Sequence, residues 1–249
     1  MELTLLISFL VIMALGAYVQ TVTGFALGMI VMGGVTAFDL APVLFTSVII
    51  SLMALANGLQ ALKGNWKELN REAVKFAFIG LVPALALGVW LLTWMSSELN
   101  QMLKILLGVT IIAGGLFIML KPEPLKQPSG PLAFATAGAA GGFLAGMFSI
   151  AGPPLVFQFY RQPYSMKCIR LCLLAIFLCS SSFRTLMVGL QGELNLDMFI
   201  YAGICLPVVS AATWLGKKYP PPLSDKTMRR LAFTLLIIIG GTLLVKELL

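Results

Sequence analysis

The chain of 249 residues contains no histidine and little charge. Asp, Glu, Lys and Arg make up 11% of it, and Asp39, Glu193 and Asp197 lie in or beside predicted loops. An enzyme needs a nucleophile, an acid/base group or a metal ion. Cys179, which is near Arg184, is the one candidate nucleophile, and no base accompanies it in the sequence. We therefore expect that the protein is not an enzyme and that it has no catalytic residue and no cofactor.

Cysteine is scarce as well. The four cysteines lie in or at the ends of apolar segments without a CxxC pair: Cys168, Cys172, Cys179 and Cys205. This spacing predicts packing residues, with neither a disulfide framework nor a metal site. The net charge of +7 is spread over short loops, with no Lys/Arg-rich run and no interleaved aromatic residues. We therefore expect no nucleic-acid partner.

What the chain has in excess is apolar sequence, since 59% of its residues are hydrophobic. This composition predicts an all-α, polytopic membrane protein whose main partner is the lipid bilayer. Eight apolar segments can be recognised, at roughly residues 4–33, 41–62, 73–95, 102–120, 131–160, 169–190, 198–216 and 228–246. Most of them have the length of a transmembrane helix of about 20 residues.

The second four segments repeat the first four. At an offset of 128, Gly24 aligns with Gly152, and Gly64 aligns with Gly192; near 126, the Gly pair of residues 114–115 aligns with that of 240–241. We therefore predict an N-terminal repeat of residues 1–122, a linker of residues 123–130, and a C-terminal repeat of residues 131–249. Two repeats within one transmembrane domain are typical of secondary transporters.

Segments one and five predict broken helices. Segment five carries Ser149 and Gly152-Pro153-Pro154 between apolar flanks, and segment one carries Thr23-Gly24-Phe25 at the equivalent place. A helix break frees backbone N–H and C=O groups, and in lipid these groups need other hydrogen-bond partners. If segment five dips into the membrane and returns, fourteen basic residues share one face, and Lys104 and Lys246 occupy the other. Eight simple crossings give nine against seven, which violates the positive-inside rule.

The charge distribution therefore predicts a re-entrant segment five made of two half-helices, each too short to span. By the repeat, segment one behaves alike, the halves are inverted, and the faces rich in Lys and Arg are cytoplasmic. A long, kinked crossing helix at segments one and five is the alternative. The sequence also leaves the oligomeric state open, with a homodimer among the options.

The broken helices predict a binding site for an anion. A restarting helix offers unpaired N–H groups and the positive end of its dipole, and proline suits its first turn. Intramembrane glycine, serine and threonine also serve ordinary packing and back-bonding. The predicted substrate-binding residues are Gln20, Thr21, Thr23, Gly24, Phe25, Ser149, Gly152, Pro153, Pro154, Gln158, Ser181 and Arg184.

Arg184 is the strongest of these candidates. It lies about two-thirds of the way along segment six, where a charge costs at least about 2.5 kcal/mol and normally faces a partner or a wet cavity. The apolar segments supply no carboxylate to pair with it. Its planar guanidinium suits an oxyanion, whereas a side chain extended to the interface is the alternative.

The motifs Q-x-x-T-G-F-A at residues 20–26 and S-I-A-G-P-P at residues 149–154, within two four-segment halves, resemble those of the TauE/SafE family of membrane transporters. Ala26, Ser149 and Ala151 stand where that family often has glycine. The resemblance implies export of sulfite, sulfoacetate or other organosulfonates across a bacterial cytoplasmic membrane. A transporter for another small solute and a non-catalytic subunit of a larger membrane complex are the alternatives.

Overall fold

A computed structural model describes residues 3–119, 124–222 and 225–248, and within these ranges the chain forms helices and no strand. The helices are α1 (Leu3–Thr23), α2 (Leu27–Ala37), α3 (Val43–Leu62), α4 (Arg71–Glu98), α5 (Asn100–Met119), α6 (Pro131–Phe148), α7 (Gly152–Tyr160), α8 (Met166–Leu190), α9 (Leu196–Lys218) and α10 (Asp225–Leu248), with a 3₁₀ turn at Trp66–Glu68. The predicted all-α fold is thereby confirmed for the described residues.

Polar residues set where the long helices begin. The side chains of Asn70, Ser165 and Asn195 accept hydrogen bonds from the third N–H beyond them, which caps α4, α8 and α9. Such a cap satisfies one of the unpaired donors of a helix start. Within the described ranges, six helices are long and apolar enough to cross a membrane: α1, α3, α4, α6, α8 and α9.

Segments one and five are both broken, but not at their middles. α1 has 21 residues and α6 has 18, whereas α2 and α7 have 11 and 9. The expectation that each half-helix is too short to span is therefore wrong for the first helix of each pair. The restart in segment one is also later than predicted, because Thr23 ends α1 and α2 begins at Leu27.

Each broken segment folds back on itself. At the open end of the α6–α7 pair, the rings of Phe134 and Phe159 lie 5.3 Å apart, and the Ser129 N–H donates to Gln162 Oε1 over 2.8 Å. α7 therefore returns antiparallel along α6. In the α1–α2 pair, the Cβ position of Gly16 lies 2.8 Å from Val31, and that of Gly34 lies 3.1 Å from Ile12.

Helices from the two halves of the chain pack against one another. α4 and α6 form the most extensive helix contact, and they run in the same direction because Gly80 lies against Ala135 and Gly146 against Leu85. Small residues permit this close approach. α1 packs on α9 in turn. The pairs α3–α8 and α5–α10 are antiparallel.

Charged side chains mark the two ends of the bundle. At one end, Lys167 pairs with Glu68 over 2.7 Å. At the other end, Lys104 pairs with Asp39 over 3.1 Å and Lys246 also contacts Asp39. α3 runs from the second end to the first.

Candidate functional site

A small cavity lies where the two helix breaks meet. Its volume is about 30 Å³, room for roughly one or two water molecules. It is lined by both breaks together with α3 and α8: Gln20, Ala26, Leu27, Gly28, Met29, Ile50, Ala54, Ala145, Ser149, Ile150, Ala151, Gly152, Phe177, Ser180, Ser181 and Arg184. No Asp or Glu is among these lining residues.

Arg184 is held in this cavity by three hydrogen bonds. Its Nη2 donates to Ser47 Oγ over 2.7 Å, its Nη1 donates to Ser51 Oγ over 3.3 Å, and its Nε donates to the Gly146 carbonyl over 3.1 Å. The residue is 1% exposed. Its side chain therefore does not reach the membrane interface, and the alternative of an extended, interfacial arginine is wrong.

The bonds to Arg184 leave part of the guanidinium available. A guanidinium carries five N–H donors, and three of them are engaged by Ser47, Ser51 and Gly146. Ser51 Oγ also lies 3.0 Å from Ser149 Oγ. Arg184 is thus linked through one hydroxyl to the residue that ends α6 at the break.

The break in segment five is built by left-handed backbone. Ser149 has φ 58° and caps α6, with its N–H bonded to the Ala145 carbonyl. α7 then begins at Gly152, with Pro153 and Pro154 in its first turn, as predicted. Because proline has no N–H, this start leaves fewer donors unsatisfied.

The two breaks touch each other inside the cavity. A Cβ at Gly28, in the first turn of α2, would stand 2.3 Å from the carbonyl oxygen of Ser149. The first residues of α2 and α7 both line the cavity. Two helix N-termini therefore add their positive dipole ends to the charge of Arg184.

A buried amide network supports the first break. Gln20 Nε2 donates to Asn57 Oδ1 over 3.0 Å, and Gln20 Oε1 accepts from the Leu27 N–H over 3.3 Å. Asn57 Nδ2 donates to Thr21 Oγ1 over 2.8 Å and to Thr213 Oγ1 over 2.7 Å. Gln20 is thereby fixed at the cavity by a residue from α3.

The other predicted residues lie around the cavity rather than in its lining. Thr23 Oγ1 donates to the carbonyls of Val19 and Phe25, so it stabilises the break itself. Gly24 has φ 88°, which favours glycine. Of the remaining predicted residues, Phe25 is buried beside the Tyr160 ring, Pro153 packs against Gly114, Pro154 is half-buried, and Gln158 is buried.

Sequence reasoning missed three residues of this region, namely Ser47, Ser51 and Asn57. All three are fully buried polar side chains on α3. Polar residues within an apolar segment of membrane length were the available signal, since Ser47 and Ser51 are four residues apart and therefore share one helix face. Among the described residues, no group of three or more His, Cys, Asp or Glu could hold a metal ion.

Comparison with known proteins identifies the class. The profile of the family described as Sulfite exporter TauE/SafE matches residues 8–243. The chain therefore belongs to the TauE/SafE family, as its motifs suggested.

A similar protein is the "Probable sulfite/organosulfonate exporter TauE" of Cupriavidus necator. The two are 47% identical over 229 residues, which cover 92% of this chain and 90% of that protein. No solved structure matches the chain.

Proposed function

We propose that the protein is a secondary transporter that exports sulfite, sulfoacetate or a related organosulfonate across a bacterial cytoplasmic membrane. The observation that carries this proposal is the buried guanidinium of Arg184 in a cavity without a carboxylate. A buried charge is costly unless it is paired. An anionic substrate supplies the missing opposite charge, and the similarity to a probable sulfite/organosulfonate exporter narrows its class.

The proposed site uses three kinds of donor. Arg184 offers its two unengaged N–H groups, Ser149 and Ser181 offer hydroxyls, and the start of α7 at Gly152 offers the positive end of a helix dipole. Together they suit the several oxygens of a sulfite or sulfonate group. The remaining predicted residues stabilise the conformation of the two helix breaks around these donors.

We propose alternating access around two inverted repeats, residues 1–122 and 131–249, with segments one and five re-entrant. The repeat makes α3 equivalent to α8, and α5 equivalent to α10. The antiparallel packing of these pairs supports the inversion, because equivalent helices then cross in opposite directions. The folded-back α1–α2 and α6–α7 pairs support re-entrance. A cavity of about 30 Å³ has to enlarge before it admits a substrate.

The face that carries Lys167 and the α3–α4 loop is proposed to be cytoplasmic, since Lys and Arg in short loops resist translocation. Lys104 and Lys246 then face outward. In a cell that is negative inside, each exported negative charge gains about 2.3 kcal/mol per 100 mV. Export can therefore run downhill without a coupling ion.

Ligand-dependent stability tests the proposal. Purified protein is heated with sulfite, sulfoacetate, taurine, sulfate or acetate, and efflux of the stabilising anions is then measured from proteoliposomes. A ligand that binds the folded state raises its stability by mass action. We expect sulfite or sulfoacetate to stabilise the wild type and not Arg184→Gln, whereas Arg71→Gln, an exposed arginine, should behave like wild type. Equal stabilisation of all three proteins would exclude Arg184 from the site.

A further inference from the structure

One face of α8 carries two arginines separated by a phenylalanine at equal spacing. Arg170, Phe177 and Arg184 follow one another every seven residues. Seven residues advance a helix by about 10 Å and rotate it by only about 20°. The three side chains therefore form one stripe, with the arginines about 21 Å apart along the helix.

Each arginine of the stripe lies at one of the two helix breaks. Arg184 donates to the Gly146 carbonyl just before the break in segment five. Arg170 packs on the break in segment one, where a Cβ at Gly24 would stand 2.9 Å from Arg170 Cγ. α8 thus places an arginine beside each break, with the aliphatic part of Arg170 against Gly24. Of these two arginines, Arg184 lines the central cavity and Arg170 does not.

Arg170 lacks the partners that hold Arg184. Its Nε is buried without a hydrogen-bond partner among the described residues. On the loop that packs against the start of α8, Glu68 is engaged by Lys167 over 2.7 Å. A buried donor without an acceptor is costly, and a guanidinium presents a fork that fits the oxygens of an anion. Arg170 is partly exposed at the Lys-rich end of the bundle.

Phe177 separates the two arginines. It lines the central cavity and is 8% exposed. An apolar ring therefore lies between the two arginines along the stripe, in the wall of the central cavity.

We propose that Arg170 forms a second anion subsite, which captures the sulfonate or sulfite group at the proposed cytoplasmic face before it passes Phe177 to reach Arg184. The inference rests on the proposed function. Its consequence is electrostatic: the positive charge of Arg170 raises the rate of substrate entry, and this effect weakens as salt screens it.

The test measures sulfoacetate transport by proteoliposomes as a function of sulfoacetate concentration and salt. Arg170→Gln should raise KM about tenfold, as expected for loss of a charged hydrogen bond, with kcat within about twofold of wild type. It should also make KM less dependent on salt. At saturating sulfoacetate its thermal stabilisation should remain, whereas Arg184→Gln should lose it. Arg71→Gln removes the same charge from an exposed position and should leave KM unchanged.

Two results would overturn the subsite. One is a KM for Arg170→Gln equal to that of Arg71→Gln, while wild type still transports and Arg184→Gln does not. The other is an unchanged salt dependence. If Arg170→Gln is not recovered folded, Arg170→Lys takes its place, and it should raise KM about threefold because the charge stays and the fork is lost; an unchanged KM would overturn the proposal. Absence of binding and flux in wild type would instead reject the proposed function itself.

Discussion

Gly28 lies so close to Ser149 that a Cβ atom at position 28 would stand only 2.3 Å from the Ser149 carbonyl oxygen. This contact joins the start of α2 to the end of α6. Any residue larger than glycine at position 28 pushes the two breaks apart.

Gly28→Ala is therefore expected to destabilise the protein by about 1–3 kcal/mol, the usual cost of overpacking, and to abolish transport. The thermal midpoint and the proteoliposome flux measure both effects. Gly203→Ala is the matched control, because Gly203 also lies within a helix and has open space at its Cβ position. It should be as stable as wild type. Equal behaviour of the two variants would refute the role of this contact.

Asn57→Leu should separate the amide network from simple packing. The substitution keeps the side-chain shape but leaves Gln20 Nε2 without its acceptor. A buried polar group that loses its partner costs about 1–3 kcal/mol. We expect a lower thermal midpoint and weaker sulfite binding, because Gln20 loses its fixed position. Asn65→Leu, in the loop after α3, should change neither quantity; a similar loss there would contradict the network's importance.

Gly152 and Pro153 should respond differently to substitution. A Cβ at Gly152 meets only Met29, at an ordinary contact distance of 3.4 Å. Gly152→Leu should therefore fold and fill the cavity, which eliminates stabilisation by sulfite. Pro153→Ala keeps the helix start and should retain binding. Thermal shifts with and without sulfite measure this, and identical shifts in both variants would remove the main support for the restart of α7 as part of the site.

Asp39 predicts an acid-dependent contribution to stability. Hydrogen bonds from Lys246 and Lys104, and the charges of both, lower the pKa of Asp39 despite partial burial. A carboxyl whose folded pKa is depressed stabilises the fold above its ordinary pKa of about 4, and this stabilisation is lost as the pH falls through the lowered value.

Asp39→Asn tests this contribution without backbone strain, because Asp39 has φ 47° and asparagine tolerates this region as aspartate does. The variant should be less stable than wild type at pH 7, and the difference should shrink in acid. Glu193→Gln, which removes a partly exposed carboxylate in the loop before α9, should show no such difference. A gap between Asp39→Asn and wild type that stays constant with pH would contradict the ion pairs.

The sequence predicted the two helix breaks, and it singled out Arg184 as a binding residue, because both features are unusual in an uninterrupted membrane helix. Pro153 and Pro154 interrupt a helix when they lie in its interior, and a charged side chain inside a membrane is costly unless it has a partner. The lengths of α1 and α6 were not predictable, because the left-handed residues Ala26 and Ser149 that end or precede helices are not glycine. Such positions depend on tertiary contacts.

The sequence signals that Ser47 and Ser51 are unusual in an apolar segment, but it does not show that they pair with Arg184. Ser47 and Ser51 belong to α3, more than 130 residues away, and isolated serines in membrane helices usually bond their own backbone.

From the sequence alone, Gly80 and Gly88 fit hinges and packing residues equally well. Their Cβ positions lie 1.9 Å and 2.3 Å from backbone oxygens of α6, so they permit close packing.

The packing of α1 on α9 has a consequence for biogenesis. Tyr18 Oη donates to the carbonyl of Tyr219, 201 residues later in the chain. During synthesis, the first hairpin therefore enters the bilayer long before its neighbour leaves the ribosome, and it must wait without its final packing surface. The two halves depend on each other for packing. α9 of the second half packs on α1 of the first hairpin, and α4 of the first half packs on α6 of the second hairpin. A chain truncated before α9 would leave the first hairpin as a substrate for membrane quality control.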